Sequence, residues 1–537
     1  MTNMTYPTAD YIVIGGGTAG LVVANRLSED PDVNVLVLEA GPDRSSDERV
    51  QNPAAWPTLS GSEVDWQFKV VPQPGLNNRD QDYAAGRLLG GTSAINGLAF
   101  VPPAPAGIDA WEALGNPGWS WQSLAPYFHR SFHVCPEAAP GNGPGAAASA
   151  ATGPIEVTYP ALAEPRNHTI IDAWNKTFAD KGYAFSDTLI PTPTTGTRPY
   201  TATITTTGVR SASTQYAASR PNLRILTNTT VERILFDTTS TTVTATGVLL
   251  HNDPSPITAT KEVILAAGAF NTPKLLELSG IGSASRLSTH SIPCIIDNPS
   301  VGENLNSHLM AVLPVPIQPL PDTASPTPGI QAISFVRSGA EADLLSRHPP
   351  HPPLNNLLAN PSEPTACFFL STLPNSMAIL GLIPSYPLSR GSVHLSSSQP
   401  TDKPIIDPSY LSHPLDIKLM AAHFKTLHAL PNCSPFSGIL GSAPGPSPET
   451  QDPGVVEETL RASVVAAHHF CGTAIMAPRE KGGVVDTELR VHGTGNLRVV
   501  DASVFPTVTA ANPMSTVYAV AERAAEIIRG RDRPACA

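Results

Sequence analysis

The chain is short of charge, and the charge it has leans one way. Of its 537 residues 15% are charged, with 33 Lys and Arg against 45 Asp and Glu, a formal net charge of −12. That balance leaves no basic footprint for nucleic acid. No apolar run approaches the ~20 residues that cross a bilayer, so no membrane span is expected. The opening Met1-Thr-Asn-Met-Thr-Tyr-Pro7 lacks the apolar core of a signal peptide. The expected location is therefore cytoplasmic or otherwise intracellular, with secretion requiring a leader already removed. Cysteine is scarce as well. The six cysteines (Cys135, Cys294, Cys367, Cys433, Cys471 and Cys536) include no C-x-x-C and no metal-ligand spacing. Reduced structural thiols and no metal centre follow. What the chain has in quantity is apolar residues, 41% of the total, and length beyond the usual ceiling for one core. Two domains are the default.

The most informative stretch lies near the start. Tyr11-Ile-Val-Ile14 is a compact apolar segment of the kind that makes a buried parallel strand. It runs into Gly15-Gly16-Gly17-Thr18-Ala19-Gly20, a G-x-G-x-x-G turn, and Leu21 to Leu27 follows with helical spacing. A second strand, Val33 to Leu38, ends at Glu39, nineteen residues after Gly20. The glycines allow a tight turn and let a pyrophosphate approach N–H groups at a helix N-terminus. An acidic side chain at the tip of the second strand accepts hydrogen bonds from an adenosine ribose and repels a 2′-phosphate. Together these features predict a dinucleotide site. A structural βαβ corner would explain the glycines but not Glu39.

Further along, Gly86-Arg-Leu-Leu-Gly90-Gly91-Thr92-Ser93-Ala-Ile-Asn96-Gly97 is a second glycine-rich patch, whose small residues let backbone amides face a phosphate or a flat ring. Residues 136–155, rich in Pro, Gly and Ala, read as a surface linker. A helix is expected over Ile170–Asp180, and strands over Thr230–Phe236 and Val263–Gly268. From 313 to 365 prolines crowd in and periodicity fades, which predicts a long irregular loop over the substrate entrance. Near the C-terminus, His468-His469-Phe470-Cys471-Gly472-Thr473 places two histidines side by side, which in an extended segment point to opposite faces. Asp501 sits at a strand end. Asn512 precedes Pro513 and a final helix over Val517–Arg529, where it could serve as an N-cap.

Gly15–Gly20 with Glu39, Gly86–Gly97, Ile108–Trp111, Gly118–Phe128, Phe270–Gly282, Val301–His308, Pro387–Gly391, Asp407–Tyr410, His468–Thr473 and Ala511–Tyr518 resemble the glucose–methanol–choline oxidoreductases, which are FAD enzymes. The resemblance covers residues 10–310 and 387–529. Two departures are Val101-Pro102-Pro103, where the family carries an arginine–glycine pair, and Ser307, where an aspartate is common.

The resemblance implies an α/β, overall α+β, fold. A Rossmann-like FAD domain would be assembled from 1–155, 206–312 and 466–537. A substrate domain with a mixed or antiparallel sheet would comprise 156–205 and 313–465. It implies FAD contacts at Gly15, Gly17, Thr18, Ala19, Gly20, Glu39 and Ala40. Others would be at Arg87, Gly90, Gly91, Thr92, Ser93, Asn96 and Gly97, then at Val231 through its backbone, and at Ala267. The last set is Asp501, Ala502, Asn512, Pro513 and Met514. The family's catalytic histidine, three residues before the Gly472-Thr473 pair, matches His469, leaving His468 as backing. Its partner position matches Asn512. Where some members carry a histidyl–flavin bond this chain has Ile95, so FAD is expected to bind non-covalently. The implied reaction is alcohol oxidation to an aldehyde or ketone, with His469 as base and O2 as acceptor yielding hydrogen peroxide. A dehydrogenase using another acceptor, or a hydroxynitrile-lyase-like enzyme with idle flavin, shares the same motifs. The few charges near these segments, with Phe470 and Phe100, point to a neutral alcohol, aromatic or of secondary metabolism. Oligomeric state is not legible.

Overall fold

Two sheets carry the molecule, and the chain passes between them more than once. The computed structural model describes residues 8–135, 151–190, 194–319 and 325–532. The elements that frame the site begin with β1 (Ala9–Ile14), α1 (Thr18–Leu27), β2 (Val35–Leu38), β3 (Gly196–Pro199) and β4 (Leu223–Leu226). There follow β5 (Val231–Asp237), β6 (Thr244–Leu250), β7 (Asp253–Leu265), α2 (Gly268–Leu278) and β8 (Leu309–Pro316). The last are β9 (Gly329–Val336), β10 (Ala366–Leu373), β11 (Met377–Pro384), β12 (Val465–Ala466), β13 (Leu497–Val499) and α3 (Met514–Ile528).

The first sheet runs β4-β2-β1-β7-β6-β5, with β13 also on β7. Its centre is parallel, with Ile12 beside Leu36 and Val263 in register. Both faces of these strands are covered, so Tyr11–Ile14 of β1 and Val35–Leu38 read as unbroken apolar runs. The β1–α1–β2 unit matches the strand–helix–strand reading, with α1 beginning three residues earlier than its apolar spacing suggests. The final helix likewise starts earlier, at Met514, and packs on α1. A partly buried ion pair, Arg26 Nε to Glu522 Oε2 at 2.8 Å, joins those two helices.

The second sheet, β12-β8-β11-β10-β9-β3, is antiparallel throughout. It overturns the expectation of an irregular loop over 313–365. That stretch holds the end of β8, all of β9, and helices Glu341–Arg347 and Pro352–Ala359. Periodicity was masked by prolines, yet Pro314 and Pro316 cost the sheet little. Beside β8, β12 reaches only Leu309 and Met310, and farther along Gly441 N donates to the Pro316 carbonyl at 2.8 Å, so neither proline is asked for an N–H on that side. Both prolines also fall on the exposed face. Most of the expected linker, 136–150, lies outside the described residues, and its end at Ile155 opens a short strand. Among the described residues no helix is long and apolar enough to cross a membrane. The five described cysteines are free.

Candidate active site

Between the sheets lies a cavity of about 1430 Å³. Pockets for one drug-sized ligand run from roughly 300 to 1,000 Å³, so this one has room for two molecules side by side.

One end is a backbone cradle. Gly15 has φ +106°, and a Cβ there would run into the Ala266 carbonyl, as one at Gly20 would into the Gly15 carbonyl. The turn therefore exists only with glycine at both places. Gly17 stands at the N-cap of α1 with no side-chain cap and no acidic residue in the first turn. The orphan N–H groups of that turn are left for an outside acceptor, the arrangement that takes an anion. Gly17, Thr18 and Ala19 line the cavity there. Glu39, 6% exposed, accepts from Gly16 N at 2.8 Å and Gly41 N at 2.7 Å. Burial pushes its carboxyl up to about 7 against those two bonds and the charge of Arg87. An uncapped helix start beside a buried acid with spare lone pairs fits a pyrophosphate followed by a ribose, the pattern of FAD's adenosine half.

Ala40, Gly91, Thr92, Ser93, Asn96, Gly97, Val231, Ala267, Asp501, Ala502, Pro513 and Met514 also line the cavity. Three expected contacts do not. Gly20 is spent on the turn. Gly90 donates its N–H to the Gly16 carbonyl at 2.8 Å, tying the two glycine loops together. The guanidinium of Arg87 lies 5.3 Å over the Trp66 ring. Asp501 is at the wall, but its carboxylate already accepts from Gly268 N, Thr272 Oγ1 and the N–H and hydroxyl of Ser503. It fixes the start of α2. Arg210, unassigned from sequence, pins the second glycine loop by donating to the carbonyls of Asn96 (2.8 Å) and Ser93 (3.3 Å). A lone buried arginine has no motif to announce it.

The other end is built from side chains. His469 and Asn512 meet: Asn512 Nδ2 lies 2.9 Å from His469 Nε2. Asn512 is thus not the N-cap of α3, a place Pro513 takes. Behind His469 stands a residue to which sequence gave no role. His308 Nδ1 is 2.8 Å from His469 Nδ1, and His308 Nε2 is 3.1 Å from the Ser385 carbonyl. A carbonyl only accepts, so His308 carries its proton on Nε2 and offers Nδ1 as a lone pair. Burial pushes His308 down to about 4, so it is neutral. His469 must then donate from Nδ1, which leaves Nε2 unprotonated and facing Asn512. Burial, with His308 and His468 adding to it, holds the His469 imidazole well below its ordinary value. The arrangement is a neutral base with its tautomer fixed.

His468 corrects the expectation of opposite faces. Its φ is +59°, so the segment is not extended there, and both histidines line the cavity. His468 packs its ring against Tyr83 and Phe470. Phe470 borders the cavity, whereas Phe100 does not and packs on Phe132 in the core. Cys471 is fully buried, its thiol pushed up to about 12 by burial, which removes it as a nucleophile.

A dinucleotide cradle opening onto a neutral, oriented imidazole defines a flavin-dependent oxidoreductase. Family models described as GMC oxidoreductase match residues 9–310 and 387–521. The chain belongs to the GMC oxidoreductase family, and its cofactor is FAD. It is 32% identical to the GMC oxidoreductase family protein Mala s 12 of Malassezia sympodialis over 97% of this chain and 92% of that one. Among solved structures it resembles an FAD-dependent oxidoreductase from Chaetomium thermophilum (TM-score 0.87, 27% identity, 97% and 99% covered). It also resembles pyridoxine 4-oxidase from Mesorbium loti (TM-score 0.83, 27% identity, 97% and 99% covered).

Proposed function

We propose that the protein oxidises a neutral alcohol to an aldehyde or ketone, with His469 as general base and Asn512 as the residue that orients the substrate oxygen. Residues 1–155, 206–312 and 466–537 form the FAD part in this reading, and 156–205 with 313–465 the substrate part. The observation that carries it is the hydrogen-bonded run from the Ser385 carbonyl through His308 to His469 and Asn512. It presents one unprotonated nitrogen and one amide donor within 2.9 Å of each other. A substrate hydroxyl that displaces this contact donates its proton to His469 Nε2 and accepts from Asn512 Nδ2. Proton transfer makes His469 an imidazolium, and neutral His308 receives its Nδ1–H without adding charge. FAD, when bound, would supply a two-electron acceptor for the hydride of the carbinol carbon, with O2 as the oxidant that restores it and hydrogen peroxide as the by-product. Position and charge are the protein's share. Ile95, which lines the cavity where a histidyl link would stand, supports non-covalent binding.

The test is an anaerobic screen of alcohols for bleaching of the flavin, followed by admission of air and a peroxide assay. Bleaching with peroxide supports the oxidase. Bleaching that only an added dye reverses supports a dehydrogenase. No bleaching by any alcohol overturns the reading and favours a lyase.

A further inference from the structure

Past Asn512 the cavity continues along one face of the second sheet. Its wall there carries Ile330 and Ile333 of β9, Cys367, Phe369 and Ser371 of β10, and Ile383 of β11. None of these bears a charge. Phe369 belongs to the same apolar cluster as Ala510 and Ala511, which immediately precede Asn512, and it lines the same cavity as His469 and Asn512.

Phe369 is the one aromatic ring on that face of β10, and its cross-strand partner in register is Gly381 of β11. A Cβ built on Gly381 would overlap Cζ and Cε1 of the Phe369 ring. Gly381 does not have a left-handed backbone, and it sits in the middle of a strand paired on both edges. Glycine weakens a strand interior and is depleted there, so it needs a reason at this place. The ring supplies one. Its outer edge lies over the bare Cα, where any side chain at 381 would displace it. The sheet closes the space behind, so a displaced ring moves into the cavity.

We infer that Phe369 determines the size of alcohol the site accepts, and that Gly381 sets its reach by letting the ring lie back. This rests on the alcohol-oxidation reading and names its substrate class: alcohols with an apolar body longer than a short alkyl chain. Carbons in contact keep about 3.5–4.0 Å apart, so a methyl at 381 forces the ring to shift. The pocket then loses length. Removing the ring has the opposite effect.

The experiment uses holoenzyme and the 1-alkanols from ethanol to 1-decanol with 3-phenylpropan-1-ol. Each is read twice, by anaerobic flavin reduction and by perturbation of the flavin absorption on binding. In Gly381→Ala the ratio of long-chain to ethanol response should fall by about tenfold or more, the scale at which one methylene is discriminated. In Phe369→Ala the ratio should move the other way. In the double variant the Gly381→Ala effect should vanish, because it acts only through the ring. Dithionite reduction of bound FAD gives the fraction of folded, loaded protein in each preparation. The inference is overturned if Gly381→Ala leaves the chain-length profile of both readouts unchanged, or lowers every alcohol equally. It is also overturned if the effect persists without the ring. Size-dependent binding with no reduction of the flavin by any alcohol would instead retain the inference and sink the oxidase reading.

Discussion

The two ends of the cavity solve the same problem, holding a reactant, with different materials. At the dinucleotide end the groups on offer are mainly backbone N–H, shaped by Gly15 and Gly20, and a single acid, Glu39. At the reacting end they are side chains, passed from Ser385 to His308 to His469 to Asn512. Backbone groups cannot be deleted by mutation, only misplaced, so the first end should degrade gradually in affinity. A relay of side chains fails at whichever link is cut, so the second should lose rate steeply while affinity for FAD survives.

The steepest loss tests that contrast directly. His469→Ala should slow anaerobic flavin reduction by about 10²–10⁴-fold, with FAD still bound. A rate within threefold of the parent would remove His469 from the chemistry. His308→Leu should cost roughly 10²-fold, because it frees the His469 tautomer and lets the ring turn. His308→Gln keeps an acceptor for His469 and a donor for Ser385, so it should recover most of that rate. If both variants fall equally, His308 only fills space. At the other end, Glu39→Ala removes a charge-assisted bond worth roughly 1.5–3 kcal/mol, so the FAD dissociation constant should rise about 10- to 150-fold. Reduction of the loaded enzyme should hardly change, and an equal fall in both would erase the distinction between the two ends.

A smaller effect comes from acid. His308 titrates near 4 in the folded protein and at about 6.5 when unfolded. Above 6.5 neither state holds the proton and stability is untouched. As pH falls from 6.5 towards 4 the unfolded chain binds it and the folded chain refuses. The folded state then loses up to roughly 1.4 kcal/mol per pH unit. Thermal melts of His308→Gln should be flatter over that window than those of the parent. Smallest of all, His468→Ala should change flavin reduction less than about fivefold, since His468 makes ring contacts but is outside the relay.

Sequence revealed the first end almost whole because its geometry is local. Strand, glycine turn, helix and Glu39 lie within some thirty residues, and backbone conformation follows from neighbours in the chain. The second end was legible at His469 and Asn512 only through resemblance. His308 stands 161 positions from His469, and no periodicity connects them. Arg87 and Gly90 belong to the second glycine loop but lie off the cavity wall, because a glycine-rich loop marks where a cofactor lies near, not which of its residues turns inward. His468 was misplaced because one left-handed residue breaks the alternation of an extended strand. The Pro-rich stretch hid β9 and the end of β8 because proline speaks against a paired strand, and sequence does not say on which side of a strand the missing N–H falls.

Arg26 and Glu522, the pair that joins α1 to α3, have a consequence in time. They lie 496 positions apart, and a ribosome adding about 5–20 residues per second needs roughly 25–100 s to make the stretch between them. Through that interval the glycine turn exists without α3 to pack on α1, and without Asn512 beside His469. Flavin capture is therefore expected late, once α3 has been made and packed on α1. Stalled nascent chains ending before residue 490 should retain no FAD, while released full-length chains load it. Stable flavin on the stalled species would place capture earlier.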